Sequence, residues 1–426
     1  MRVIKFPDKA EWAGLLERPH RDAEELREVV NAVLNDIKAK GDEAVKDYEL
    51  RFDKVALDSL QVSEKEMLEA ESLVSDELRK ALVLAHENIE KFHSSQKFDG
   101  KKVETAPGVF CWQKSVAIEK VGLYIPGGTA PLFSTVLMLA TPAKIAGCKE
   151  IVLCTPPDRQ GKVNPAILVA ASIAGVSKIF KAGGVQAIGA MAYGTQSVPK
   201  VSKIFGPGNQ FVMAAKQQVS LHDVAIDMPA GPSEVAVIAD DMANPVFVAA
   251  DLLSQAEHGV DSQVIMFTDS ERLAEKVSDE VEKQLEALPR KEIARKSLEF
   301  SKIIVVRDVN EVMDICNEYA PEHLILAVKD YMTLADKVVN AGSVFLGNYS
   351  CESAGDYASG TNHTLPTSGY AKAYSGVNLD SFCRKITFQE LTADGIRSIG
   401  KAVEVMAENE CLHAHKNAMT VRIKSL

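Results

Sequence analysis

Apolar residues in the first hundred positions recur at helical spacing. Leu26, Val29, Val30, Val33, Leu34 and Ile37 fall on one stripe, with Asp22 and Glu25 placed as a capping pair and Gly41 as the stop. Ser75 opens a second segment, with Leu78, Ala81, Leu82, Ala85 and Ile89 on a single face. Residues 1–21 show no such period and are expected to form an arm. From Val116 the rhythm changes to short β-branched runs, each followed by a turn and a helical stretch. GLYI, EIVLCT, KIF and a second KIF lead into helices near 135–146, 164–174, 186–193 and up to Val219. The alternation resumes with EVAVIA, a helix from Pro245, QVIMFT, a helix to about Leu288, KIIVV, a helix to Tyr319, LILAV and SVFLG. Beyond Val377, a brief strand RKITFQ precedes helical sequence.

Strands alternating with helices imply parallel pairing, with active groups expected at the carboxyl edge of the strands. The pattern predicts an α/β fold of two tandem, incomplete Rossmann-like units with parallel-sheet cores, an N-terminal arm and a mainly helical tail. The expected boundaries are an arm at 1–21, a main α/β domain joining 22–123 to 235–377, a second unit at 124–234 and a tail at 378–426.

Length supports more than one core, since 426 residues exceed what one domain usually holds. A hydrophobic share of 46% and a charged share of 25% are ordinary for a globular chain. The net charge of -11 argues against a nucleic-acid footprint. The opening MRVIKFPDKAEW has no apolar leader core, and the longest apolar run, Ile167–Val176, is too short to span a membrane. Seven scattered cysteines without a CxxC pair fit a reduced, cytoplasmic setting and make a thiolate metal site improbable. Any metal would then be held by nitrogen and oxygen.

Candidate chemistry follows the histidines. His20, His86, His93 and His222 read as surface or cap residues, whereas His258, His323, His363, His413 and His415 sit in polar or glycine-rich contexts. In LLSQAEHG, Gln255 and His258 are three apart on one helix face, close enough to share a metal. A helix-terminal histidine ahead of Gly259 is the plainer reading of the same spacing. GDYASGTNHTLPT holds Asp356 and His363 in thirteen residues with little apolar content, either a solvated connector or a loop ordered by a ligand. In YAPEHL, Glu322 adjoins His323, two titratable groups of different basicity suited to acid–base work or to a plain surface turn. No GxGxxG is present. Pro126-Gly127-Gly128 and Gly206-Pro207-Gly208-Asn209 follow strands and suit either an anion or nucleotide site or simple tight turns.

GLYIPGGTAPLFSTVLMLATPAKIAGC, KIFGPGNQFV, PAGPSEV, LLSQAEHG, YAPEHL, ESAGDYASGTNHTLPT and AHKNA together resemble the histidinol dehydrogenase family, in order and across nearly the whole chain. The resemblance implies NAD-linked oxidation of L-histidinol to L-histidine through a bound aldehyde, with one zinc ion per subunit. It implies zinc ligands at Gln255, His258, Asp356 and His415, and an acid–base pair at Glu322 and His323. Substrate contacts would be Ser233, Gln255, His258, His323, Asp356, His363, Glu410 and His415; NAD contacts would be Tyr124, Gln186 and Asn209. It further implies a homodimer whose tail completes the partner's site, bringing Glu410 and His415 across. A related dehydrogenase of another small polar alcohol, or a zinc hydrolase without a redox cofactor, are the alternatives.

Overall fold

In the computed structural model of the chain, residues 1–19, 23–127 and 130–426 are described, with the side chains of residues 23–25 left aside. The capping pair expected at Asp22 and Glu25, and also His20 and Gly128, fall outside the described residues.

Two parallel sheets organise the chain. The larger has six strands in the order Arg2–Lys5, Lys302–Val305, Gln263–Thr268, Glu234–Ala239, His323–Ala327 and Ser343–Leu346. Every pairing in it is parallel. Its three strands EVAVIA, QVIMFT and HLILA are buried throughout, as expected for runs covered on both faces. Val235 and Val237 point into one apolar layer, Ala236 and Ile238 into the other. The smaller parallel sheet has five strands, in the order Lys178–Lys181, Glu150–Thr155, Lys120–Tyr124, Lys203–Phe205 and Ala225–Ile226. A third, antiparallel sheet joins the tail strand Cys383–Leu391 to the hairpin strands Val109–Ala117 and Val103–Ala106.

Three expectations are corrected. The arm is not featureless: Arg2–Lys5 forms an edge strand of the six-stranded sheet, and Trp12 and Leu16 enter its core. The helices between Ala23 and Ser94, grouped by sequence with residues 235–377, pack instead on the helices of the five-stranded sheet. Val30, Val33, Leu34 and Ile37 share a core layer with Tyr124 and Ile188, while Leu82, Ala85 and Ile89 join the layer on its other face. An apolar stripe announces that a helix is covered without saying by what. His93, expected at the surface, is fully buried, its Nδ1 2.9 Å from the Ile89 carbonyl and its Nε2 3.4 Å from Asn362 Nδ2.

The two sheets approach each other through the helix starts and loops at their strand ends. Thr135, from the helix that follows the first strand of the five-stranded sheet, lies 3.0 Å from His363 Nε2. Gln210 Nε2 donates to Asp261 at 3.2 Å, and Gly231 N to Thr367 Oγ1 at 2.8 Å. No helix among the described residues is long and apolar enough to cross a membrane.

Candidate active site

The acid–base pair stands at the amino end of a central strand. The helix Val309–Tyr319 closes on Ala320 in the left-handed region, φ 52°, and Pro321 then delivers Glu322 and His323 to the start of His323–Ala327. Both side chains are buried. Glu322 Oε2 accepts from the Glu234 backbone N–H at 2.8 Å. His323 Nδ1 lies 3.1 Å from the Glu234 carbonyl and 3.0 Å from Gln255 Nε2, which itself donates to that carbonyl at 3.2 Å. A proton on Nδ1 therefore goes to the carbonyl and leaves Nε2 facing Asp356 Oδ1, 3.5 Å away.

Gln255 ends the helix Pro245–Ala256, and His258 follows it after the last turn. The His258 ring is walled by protein, which lowers its pKa, while its outer edge stays open to solvent; Nδ1 lies 3.4 Å from Ser233 Oγ. Asp356 belongs to the short helix Glu352–Tyr357, which places Glu352 one turn before it. The segment after it is no solvated connector: Asn362, Thr364, Leu365 and Thr367 are buried. His363 spends both ring nitrogens there, with Nδ1 2.9 Å from the Asp356 carbonyl and Nε2 3.0 Å from the Thr135 hydroxyl.

The electrostatics concentrate on one imidazole. Burial works to lower the His323 pKa, but the carboxylates of Glu352, Glu322 and Asp356 outweigh it and hold the ring well above its ordinary value. Burial raises Glu322, and raises Glu352 strongly. Asp251, one helical turn before Gln255, is pushed up to about 7 by burial. Asp356 is also desolvated, yet His323 holds it below the usual carboxylate range, with His363 and His258 adding to the effect. His323, Glu352 and Asp356 present ligand-type atoms within 4.8 Å of one another. Gln255 Oε1, Asp356 Oδ1, His323 Nε2 and Glu352 Oε2 are buried acceptor atoms without a hydrogen-bond partner. Stranded acceptors of this kind are costly and few in folded proteins. Their concentration suits a cation or a ligand rich in donors.

A second set lines the carboxyl edge of the five-stranded sheet. Tyr124 ends its first strand, buried, and its hydroxyl accepts from Gly184 N at 3.1 Å. Gln186, in the first turn of the helix Gly184–Tyr193, donates to Glu49 Oε1 at 2.8 Å and leaves its own Oε1 unpartnered. Asn209 caps the helix Gln210–Ser220 through Val212 N, at 3.1 Å. At Gly206, φ 131°, a Cβ would lie 2.2 Å from the Tyr124 carbonyl oxygen, so the turn before that helix requires glycine.

The histidinol dehydrogenase family model matches residues 16–423. Histidinol dehydrogenase of Bacteroides thetaiotaomicron is 67% identical over 426 residues, covering 100% of both chains. That of Escherichia coli K12 is 53% identical over 415 residues, covering 97% of this chain and 95% of its own. The crystal structure of histidinol dehydrogenase from Elizabethkingia anophelis superposes with a TM-score of 0.97 at 57% identity, covering 100% of this chain and 98% of that one. This chain belongs to the histidinol dehydrogenase family.

Among the residues that the family resemblance singles out, the fold gathers Glu322, His323, Gln255, His258, Ser233, Asp356 and His363 into one cluster. Tyr124, Gln186 and Asn209 group at the facing sheet edge. Glu410 and His415 lie exposed on the tail and do not join the cluster within one chain. The expectation that all active groups sit at carboxyl strand ends is corrected: the second set obeys it, whereas Glu322–His323 stands at the amino edge of the six-stranded sheet. The amino edge serves because it meets the other sheet's carboxyl edge. Glu352, Asp251, Glu234 and Glu49 were not anticipated. Glu352 had a readable signal, four residues before Asp356 on the same helix face; Glu234 had none, because its contacts to the pair run through its backbone.

Proposed function

We propose that this protein oxidises L-histidinol to L-histidine through a bound aldehyde, using two NAD+ in turn and one zinc ion per subunit. The observation that carries this reading is the cluster of orphaned acceptors on Gln255, His323, Glu352 and Asp356 around a buried acid–base pair. The donor set fits zinc: Gln255 Oε1 and Asp356 Oδ1 are unpartnered oxygens, and the His258 imidazole stands near enough to Asp356 to feel its charge, with no thiolate among the residues gathered. Gln255, His258 and Asp356 would hold the ion, with His415 supplied by a second subunit. Tyr124, Gln186 and Asn209 would contact NAD+, at helix N-termini suited to its phosphates. When bound, zinc supplies a positive template for the substrate's ring and amine nitrogens, and NAD+ supplies the hydride acceptor.

The chain's own groups handle the protons. His323, in the form with Nε2 unprotonated, takes the hydroxyl proton of the alcohol as it is oxidised to the aldehyde, and the surrounding carboxylates stabilise the charge it gains. Glu322, anchored by Glu234 N, takes a proton from the water that adds to the aldehyde carbon, and the resulting gem-diol is oxidised in the second step. Ser233, His363 and Glu410 would orient the substrate. Burial of the pair keeps the aldehyde from bulk water between steps.

The exposed surface of the tail supports a homodimer with exchanged tails. The helix His413–Lys424 has no buried residue, and Val405, Met406, Leu412 and Val421 are exposed apolar groups on it or beside it. The free cysteines among the described residues support a reduced, cytoplasmic setting. The deciding measurement is NADH formed per histidinol consumed: two is expected, and a ratio of one would leave the aldehyde as product and remove Glu322 from its role.

A further inference from the structure

Glu234 is one residue with two duties. Its main chain holds the acid–base pair: the N–H donates to Glu322 Oε2 at 2.8 Å, and the carbonyl receives His323 Nδ1 at 3.1 Å and Gln255 Nε2 at 3.2 Å. Its side chain, almost wholly buried, is gripped from the other direction. Arg18 Nε donates to Oε1 at 2.5 Å and Arg18 Nη2 to Oε2 at 3.0 Å, a two-pronged pairing that fixes the plane of the carboxylate. Ser368 N adds a third donor at 2.7 Å. Arg18 Nη2 also donates to the Tyr319 carbonyl at 2.7 Å, and the guanidinium lies over the Tyr319 ring at 4.1 Å. Tyr319 is three residues before Glu322, at the end of the helix whose turn delivers the pair. One guanidinium therefore touches both the strand beneath the acid–base pair and the turn that presents it.

We propose that Arg18 is a positioning residue for the reaction, holding Glu322 and His323 in register through the Glu234 carboxylate and the Tyr319 carbonyl. This rests on the acid–base roles given above. The arm is built to present it: Trp12 and Leu16 are anchored in the core, and the Glu17 carbonyl accepts from Gln263 Nε2 at 2.9 Å. Stability alone does not explain the pair, because a desolvated ion pair is often no more stabilising than apolar residues of similar volume. What the fork adds is direction. Neither Arg18 nor the Glu234 carboxylate is among the groups assigned to substrate, so their effect is on placement.

The test compares Arg18→Met, Arg18→Lys and Glu234→Gln holoenzymes with the parent, each quantified as folded protein. Arg18→Met is expected to lower kcat by about ten- to a hundredfold for both oxidation steps, since small misplacements of reacting groups carry such losses. The KM for NAD+ should stay within about twofold, because the facing sheet edge is untouched. Arg18→Lys should recover only part of the loss, since a point charge cannot reproduce the fork. Independently of turnover, nitrogen NMR of labelled histidine should show the His323 Nδ1 proton disturbed in Arg18→Met and restored toward the parent in Arg18→Lys. An unchanged kcat per folded molecule together with an unchanged His323 signal overturns the proposal. If Arg18→Met does not fold, the same two readouts on Arg18→Lys and Glu234→Gln decide it. A parent that makes no NADH from histidinol overturns the functional reading instead, and the NMR comparison still tests Arg18.

Discussion

Glu49 shows how a single buried group ties stability to pH. It is fully buried, its Oε1 accepts from Gly183 N and Gln186 Nε2, both at 2.8 Å, and its carboxyl is pushed up to about 7 by burial, with Asp53 adding in the same direction. The folded-state value lies above the unfolded one, so the stability tied to the neutral carboxyl is complete below the ordinary carboxyl pKa. It is lost as pH rises through about 7. Glu49→Gln cannot ionise, and its amide oxygen can keep both accepted hydrogen bonds. The variant should be more stable than the parent by about 2 kcal/mol near about pH 8, with the gap shrinking steadily toward about pH 5. Urea midpoints across that range check it; a gap independent of pH would mean that Glu49 does not titrate with folding. Glu49 stayed invisible in the sequence because nothing in DYELRF marks which side chain the local π-helical turn, Glu49–Asp53, turns inward. Gln255, Glu322, His323 and Asp356 were legible because their strings carry the family likeness, while the direction of each atom was not.

At the scale of elements, the turn between Lys203–Phe205 and the helix Gln210–Ser220 depends on a buried ion pair. Lys216 Nζ pairs with Asp227 Oδ1 and donates to the carbonyls of Gly206, at 2.8 Å, and Met228, at 3.3 Å. Asp227 in turn accepts from Gly206 N and Met228 N, each at 2.8 Å. Lys216→Met leaves a buried carboxylate without its cation and should cost about 3–5 kcal/mol in denaturant unfolding. Adding Asp227→Leu should return part of the stability while the KM for NAD+ rises above the parent's, because the backbone of the turn has lost its holders on both sides. A double variant as unstable as the single one would show that the pair is not what Lys216 supports. The strand–helix alternation from Val116 to Leu346 was readable because central strands such as EVAVIA and QVIMFT are apolar without interruption. The helix Lys291–Phe300 was missed because it follows the helix Glu271–Leu285 with no strand between them, a break in the alternation. The hairpin Val103–Ala117 escaped for the opposite reason: its strands are half exposed and pair with a strand from the tail, far away in sequence.

For the whole molecule, the decisive geometry is the approach of one sheet's amino end to the other's carboxyl end, at a cluster that lacks the tail residues Glu410 and His415. Both are exposed, and the helix His413–Lys424 packs on Ala393–Asn409 and buries none of its own residues. If tails are exchanged in a twofold dimer, each site combines the core of one chain with the tail of the other. Co-expression of Glu322→Gln with His415→Asn then places both lesions in one site of the mixed dimer and leaves the other site intact. Random pairing makes half of the dimers mixed, so about a quarter of the parental rate of histidine formation should return although neither variant alone forms histidine. With His415 acting in its own chain, every site in every pairing carries a lesion and no activity returns. The arithmetic separates the two arrangements without a structure of the dimer: recovery near a quarter requires an intact core to borrow an intact tail, and only exchange can provide that.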